Sequence, residues 1–214
     1  MDFQGFLSGR GGIAAARRMG FVGLIAAMMG LAGVFTLPPL DRDEARFAQA
    51  SAQMLETGDF IVIRFQDEER NKKPAGAYWL QAASVAAFSD AKAREIWAYR
   101  LPSVFAAALA AIFAYAAIAR LFDPAAGVLC ALFVATAPVF SAEAMIAKTD
   151  ALLLACVAAA GAALAHLFAD ARARARADAA LAAAFWVAIG AGILIKGPII
   201  LIVVAPLILM TALR

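Results

Sequence analysis

The chain has 214 residues, of which 64% are apolar and 16% charged, and its mean hydropathy is +0.81. Soluble domains usually have about half apolar and a quarter charged residues, so the composition excludes an ordinary soluble domain and indicates a membrane protein. The net charge of +3 and the pI near 9.1 do not indicate nucleic-acid binding, because the basic residues are scattered around the ends of apolar runs.

The first apolar run follows a basic N-terminal region. Arg10, Arg17 and Arg18 precede Met19–Leu40, an arrangement that also begins signal peptides. The run is longer than the apolar part of a signal peptide, and no clear small-residue cleavage site follows it. We therefore expect an uncleaved first transmembrane helix.

Six apolar runs come close to the roughly 20 residues that a helix needs to cross the hydrocarbon core. They are Met19–Leu40, Leu101–Ala119, Ala125–Ala142, Ala151–Ala169, Ala179–Ile195 and Gly197–Arg214. A tight turn at Gly197 and Pro198 separates the last two better than one kinked helix does, because their combined length exceeds a single span. The prediction is an all-α polytopic membrane protein with about six transmembrane helices in a single domain, 1–214.

Between the first two spans lies a polar loop, 41–100, whose part from Leu40 to Pro74 carries eight of the sixteen acidic residues. Alanine and leucine recur there at helical spacing, which predicts an amphipathic helix over Asp43–Thr57 lying along the membrane surface. Asp41 or Asp43 is a suitable N-cap, and Gly58 a suitable stop. Phe60–Phe65 is β-prone and predicts an extended connector. Ala75–Phe88 is too short to span the bilayer and predicts an interfacial or re-entrant helix.

Two basic clusters predict the orientation. They are the N-terminal arginines and the alternating arginines of 172–176, and the positive-inside rule places both in the cytoplasm. Four spans between them satisfy this rule. The polar loop and Glu143–Asp150 then face the non-cytoplasmic side, and the N-terminus is cytoplasmic.

Four polar islands return to that outer face, and their convergence predicts a functional cleft. The first begins at Asp41 and Asp43, where a carboxylate either caps a helix or serves as a general base for a substrate hydroxyl. The second is Arg70–Lys73, whose cations either anchor the protein to headgroups or bind a lipid phosphate. Glu143–Asp150 and Lys196 are the third and fourth.

The islands carry motifs that together resemble one family of enzymes. The motifs are Asp43-Glu44-Ala45-Arg46-Phe47-Ala48, Met54-Leu55-Glu56-Thr57-Gly58-Asp59-Phe60, Lys73-Pro74-Ala75-Gly76-Ala77-Tyr78-Trp79, Arg100-Leu101-Pro102, Asp150 and Ile195-Lys196-Gly197. In order, spacing and topology they resemble the N-terminal half of the polytopic glycosyltransferases that include lipid A aminoarabinose transferase and the protein O-mannosyltransferases.

The resemblance implies a GT-C-like fold and a transferase that takes a sugar from a polyprenyl-phosphate carrier at the periplasmic face of the bacterial inner membrane, with inversion. It implies Asp43 as the general base and Asp150 as a second catalytic residue that positions substrate or a cation. The candidates for binding substrate or its phosphate are Glu44, Arg46, Lys72, Lys73, Tyr78 and Lys196. The acceptor, a lipid, glycan or protein, is not implied.

Two departures from the family pattern matter. Lys72 stands where the aminoarabinose transferases have a glutamate associated with a metal, so a divalent ion there is in doubt, because an ammonium group supplies no lone pair. The chain is also much shorter than the family, and we expect either a truncated protein or a partner chain that completes the fold.

Alternative functions are a small membrane transporter or a lipid-binding subunit without catalysis. Charged residues inside spans mark transport pathways, whereas here they lie between the spans, which disfavours a transporter. His166, the one histidine, is expected to have an ordinary interfacial role.

Overall fold

The computed structural model describes residues 6–7, 11–40, 42–172 and 178–212. Its main elements are α1 (Gly12–Leu31), α2 (Arg42–Thr57), β1 (Arg64–Phe65), β2 (Glu68–Glu69), α3 (Gly76–Phe88), α4 (Ile96–Leu121), α5 (Pro124–Thr136), α6 (Pro138–Ala144), α7 (Asp150–Arg172), α8 (Ala179–Lys196) and α9 (Ile199–Ala212). One turn of 3₁₀ helix, Ala91–Ala93, precedes α4.

The prediction of an all-α polytopic membrane protein is confirmed. Among the described residues, α1, α4, α7 and α8 are long and apolar enough to cross a bilayer, and α5 with α6 forms a bent pair that adds a fifth span if it is counted as one. Six spans were expected. The difference in number arises at the third and last predicted spans, and the first span has different limits.

The first helix lies earlier in the chain than Met19–Leu40. It begins at Gly12 and therefore contains Arg18, which is buried because its Nε donates to the Phe6 carbonyl (2.8 Å) and its Nη1 to the Tyr115 hydroxyl (3.3 Å). The helix ends at Leu31, and Arg100 binds carbonyls of the segment that follows. Both ends of the first helix therefore lie earlier in the chain than the expected span.

The third predicted span, Ala125–Ala142, is broken. Proline disfavours helical geometry in the residue before it and has no N–H, and Ala137, before Pro138, has extended backbone angles (φ −60°, ψ 123°). The axes of α5 and α6 differ by 64° as a result. The last predicted span is also shorter than expected, since α9 has 14 residues and positions 213–214 lie outside the described ranges. The turn before it is confirmed by Gly197, whose φ is +76°.

The central helix of the bundle is α4. It packs against α1, α3, α5, α6 and α7, while α7 packs against α8. Small side chains cover its buried face, among them Ala106, Ala107, Ala110 and Ala111. Without a hydrophobic driving force in lipid, such close contact supplies the van der Waals attraction between spanning helices.

The polar loop folds largely as predicted. The helix expected over Asp43–Thr57 is confirmed as α2, and Gly58 ends it with a φ of +73° and a hydrogen bond to the Met54 carbonyl. Asp41, the other proposed cap, lies outside the described residues. The short helix expected at Ala75–Phe88 is confirmed as α3.

The extended connector is shorter than Phe60–Phe65. Only Arg64 and Phe65 are in a strand, and they pair antiparallel with Glu68–Glu69 across a turn in which Gln66 has a φ of +58°.

Candidate functional site

An apolar cluster joins the polar islands at one end of the bundle. Phe47 of α2, Ile63, Tyr78 of α3, Ala151 of α7 and Ile195 of α8 are buried in it together. Ala151 and Ile195 directly follow and precede the polar residues Asp150 and Lys196. Islands that are about 100 residues apart in sequence therefore meet around one core.

Asp43 and Arg46 lie on the outer side of this core, in the first turns of α2. Arg46 Nη1 is 3.7 Å from Asp43 Oδ1, and the two side chains are 38% and 56% exposed. Because α2 begins at Arg42, Asp43 belongs to the helix instead of preceding it as an N-cap. The Asp43 carboxylate is thus at the surface of the protein and paired with Arg46.

Tyr78 links α3 to α2 beside this carboxylate. Its ring packs on Phe47 with 4.8 Å between centroids, and Arg70 Nε donates to its hydroxyl (3.0 Å) while the guanidinium lies 5.8 Å from the Phe47 ring. Burial raises the pKa of the Tyr78 hydroxyl, and the negative charge of Asp43 raises it further against the opposing effect of Arg70. Tyr78 therefore stays protonated at neutral pH.

Asp150 and Lys196 form an ion pair between α7 and α8. Lys196 Nζ donates to Asp150 Oδ1, and the side chains are 43% exposed for Asp150 and 20% for Lys196. Asp150 is the first residue of α7 and Lys196 the last of α8, so the pair ties the two helix ends together. Both groups remain accessible at the surface of the cluster.

Glu44 lies in the interior of the protein, whereas the sequence analysis expected it to bind substrate. It is fully buried, and its carboxylate accepts hydrogen bonds from Arg100 (2.7 and 3.1 Å), the Leu40 N–H (3.0 Å) and the Ala147 N–H (2.9 Å). All of these donors belong to the protein. The geometry gives Glu44 a structural task instead of the expected contact with substrate.

The third polar island, Glu143–Asp150, contacts the buried pair of Glu44 and Arg100. Besides the bond from Ala147 to Glu44, the Ile146 carbonyl accepts a hydrogen bond from Ser103 Oγ in α4 (2.7 Å). These contacts fix the segment before Asp150 relative to α2 and α4.

Lys72 and Lys73 precede α3. Lys72 is exposed and Lys73 half-buried, two residues before Ala75, which packs on the apolar cluster. No group of three or more His, Cys, Asp or Glu side chains within the described ranges comes together as a metal site.

The sequence did not reveal Arg100 as a partner of Glu44, or the bond from Trp79 Nε1 to the Phe60 carbonyl (2.7 Å). The signal for Arg100 was its position, a charged residue at the start of an apolar run. Its partner lies 56 residues away, and no local pattern connects the two.

Residues 72–214 match the family model of dolichyl-phosphate-mannose-protein mannosyltransferases, which covers more than half of the chain. The chain belongs to this family.

Curated relatives support the same assignment. The undecaprenyl phosphate-alpha-4-amino-4-deoxy-L-arabinose arabinosyl transferase of Pseudomonas aeruginosa (strain PAO1) is 33% identical over 125 residues, which is 55% of this chain and 22% of that protein. The transferase of the same name from Yersinia pestis (strain Pestoides F) is 36% identical over 87 residues, covering 38% of this chain and 15% of the relative. The matched regions thus span about a fifth of the length of these relatives.

Two solved structures have the same fold. ArnT from Cupriavidus metallidurans bound to undecaprenyl phosphate superposes with a TM-score of 0.75 at 22% identity, covering 91% of this chain and 36% of that one. Its apo state gives 0.70 with the same coverage. The expected GT-C-like architecture is confirmed by this likeness.

Proposed function

We propose that this chain forms the donor-binding part of a glycosyltransferase that takes a sugar from a polyprenyl-phosphate carrier at the periplasmic face of the inner membrane. The acceptor is a hydroxyl-bearing lipid, glycan or protein. The curated relatives are named as transferases that use an undecaprenyl phosphate-linked sugar, which supports the donor class.

One observation carries the proposal. An exposed carboxylate, Asp43, and three accessible cations, Arg46, Lys73 and Lys196, stand around a single apolar cluster at one end of a membrane bundle. A polyprenyl-phosphate sugar has matching parts, because its tail is apolar, its phosphate anionic and its sugar polar. Only the end of a membrane bundle offers all three environments within reach of one lipid.

The cations have the role of holding the phosphate. Arginine binds phosphate through a planar pair of N–H groups, and lysine acts as a point charge. Arg46, Lys73 and Lys196 would stabilise the phosphate as it leaves, with Lys72 at the exposed rim. Lys196 already lies against Asp150, and we propose that this pair, instead of a divalent ion, orients the donor.

The reaction is a single displacement. Asp43 takes the proton of the acceptor hydroxyl, the hydroxyl oxygen forms a bond to the anomeric carbon, and the bond from that carbon to the phosphate oxygen breaks. The electron pair stays on the phosphate, where the cations stabilise its charge. Attack on the face opposite the leaving group inverts the anomeric centre.

The experiment measures transfer and binding separately. The protein in proteoliposomes is given a radiolabelled undecaprenyl-phosphate sugar, and binding of undecaprenyl phosphate is followed by native mass spectrometry. Asp43→Asn is expected to lose transfer by about a hundredfold or more, the usual contribution of a general base, and to keep lipid binding. Asp67→Asn, in the turn of the hairpin, is the matched control and should keep both.

Other results of these experiments would contradict the mechanism or support a different function. Full transfer by Asp43→Asn removes the mechanism. Binding without transfer by the unchanged chain supports a lipid-binding subunit, and solute uptake into liposomes supports a transporter. Cysteine labelling from each side of the membrane tests the topology, since Asp43→Cys and Asp150→Cys should both react with a periplasmic reagent.

A further inference from the structure

A cavity lies at the end of the spanning helices that is away from the proposed transferase site. It measures about 330 Å³ and is bordered by α1, α4, α5 and α7, with Arg18, Tyr115, Arg120 and His166 in its lining. Arg100 is near the start of α4 and Arg120 near its end, so at a rise of 1.5 Å per residue the cavity is about 30 Å from the buried pair of Arg100 and Glu44. The proposed function does not involve this cavity.

The charged residues that line this cavity, named the basic cavity here, are cationic, and a carboxylate meets one of them at its edge. The lining includes two arginines and a histidine, and no aspartate or glutamate among its described residues. Arg18 is 2% exposed and is held in place by the Phe6 carbonyl and the Tyr115 hydroxyl. The buried guanidinium thus adds positive charge to the wall of the cavity.

Arg120 completes the cavity from α4. Its Nη2 is 2.5 Å from Asp170 Oδ1, and both side chains are partly exposed. An arginine has five N–H donors, so it can hold this carboxylate and a second anion together.

An apolar trough continues from the basic cavity along the bundle. It measures about 470 Å³, lies between α4, α7 and α8, and shares Ala116 and His166 with the basic cavity. Small side chains, including Ala159 and Ala184, leave this space open. A groove of this shape accommodates an alkyl chain.

We infer that the basic cavity and the trough together bind an anionic membrane phospholipid, with its phosphate at Arg120 and His166 beside the buried charge of Arg18, and one acyl chain in the trough. Basic pockets between transmembrane helices are known to take anionic headgroups. The charge of the cavity selects an anionic headgroup, and the trough selects a lipid over free phosphate. The inference does not depend on the transferase activity.

The test is lipid binding to the full chain, followed by native mass spectrometry in a mild detergent. Phosphatidylglycerol should bind in a saturable way, phosphatidylcholine should not, and inorganic phosphate should compete only weakly. Arg120→Gln combined with His166→Gln should weaken phosphatidylglycerol binding about tenfold or more, as expected for loss of charged hydrogen bonds. Undecaprenyl phosphate binding should be unchanged in this variant.

Two matched variants separate binding from folding. Asp170→Asn breaks the same ion pair with Arg120 but keeps the cation, so phosphatidylglycerol binding should be retained. Arg42→Gln removes an exposed arginine at the opposite end of the molecule and should have no effect. Ala159→Phe, which fills the trough, should weaken binding of long-chain more than of short-chain phosphatidylglycerol, whereas Ala183→Phe on the exposed side of α8 should not.

Three results would overturn the inference. The first is equal affinity for phosphatidylglycerol and phosphatidylcholine. The second is an equal loss in Asp170→Asn and in the variant that combines Arg120→Gln with His166→Gln, which would make the cluster structural. The third is a parallel loss of undecaprenyl phosphate binding in the cavity variants, which would assign the cavity to the donor lipid.

Discussion

Arg100 and Glu44 face each other inside the protein with both side chains fully buried and 2.7 Å between Arg100 Nε and Glu44 Oε1. Arg100 also donates to the carbonyls of Val34, Leu37 and Pro38, which follow α1. One ion pair thus connects the end of the first spanning helix, the helix that carries Asp43 and the helix at the centre of the bundle.

Removing one partner of this pair should destabilise the fold strongly. Arg100→Met leaves a buried carboxylate without a counter-charge, and we expect the free energy of unfolding to fall by about 3–5 kcal/mol. Arg94→Met is the control, because its pair with Glu56 is partly exposed and such pairs contribute at most about 1 kcal/mol. Denaturation in mixed detergent measures both. Equal losses in the two variants would contradict the structural role of the pair.

Gly76 permits the close approach of α3 to α8. A Cβ at this position would lie 2.6 Å from the Leu194 carbonyl oxygen, so Gly76→Ala forces the helices apart and should destabilise the protein by about 1–3 kcal/mol. Gly190→Ala in α8 meets no atom within 4 Å and should be neutral or stabilising, because alanine favours helix. Thermal unfolding compares them. A neutral Gly76→Ala would show that the two helices do not need this contact.

Substitutions of Lys196 and of Asp150 should have opposite effects on the binding of undecaprenyl phosphate. Lys196→Gln removes a cation from the proposed donor site and should weaken undecaprenyl phosphate binding about tenfold. Asp150→Asn releases Lys196 from its partner and should leave that binding unchanged or stronger. Lys92→Gln, on the exposed 3₁₀ turn, is the control. If both changes at the pair weaken binding equally, the pair is structural and the assignment of Lys196 is wrong.

Asp59 should make the neighbouring turn sensitive to acid. The backbone N–H of Val62, and then that of Ile61, lowers the pKa of Asp59, since both donate to Oδ1 at 3.0 Å. A folded-state pKa below the unfolded value stabilises the turn above about pH 3.9, and this stabilisation is lost as pH falls through the lower folded pKa.

Trp79, which donates to the neighbouring Phe60 carbonyl, reports on this turn by fluorescence. The acid transition should disappear in Asp59→Asn and persist in Asp67→Asn. A transition that survives in Asp59→Asn would show that another group controls the turn.

Sequence patterns predicted the helices and turns that depend on interactions between neighbouring residues. The helical spacing of alanine and leucine predicted α2, Gly58 its end, and Gly197 with Pro198 the turn before α9. Pro138 marks the break between α5 and α6 in the sequence, but the prediction of one span over Ala125–Ala142 rested on apolar length alone. Span limits near Arg18 could not be read correctly, because an arginine inside a membrane helix is tolerated only when distant groups supply its partners.

The sequence by itself determined the membrane class, the helical elements and the residue types available for phosphate chemistry, because hydrophobic length and helix end signals act over a few residues. Only the tertiary structure decided that Glu44 is buried against Arg100 while Asp43, its neighbour, stays at the surface. Which side of a helix faces the core depends on the helices packed around it. For a pair 56 residues apart, that contact exists only after the chain has folded.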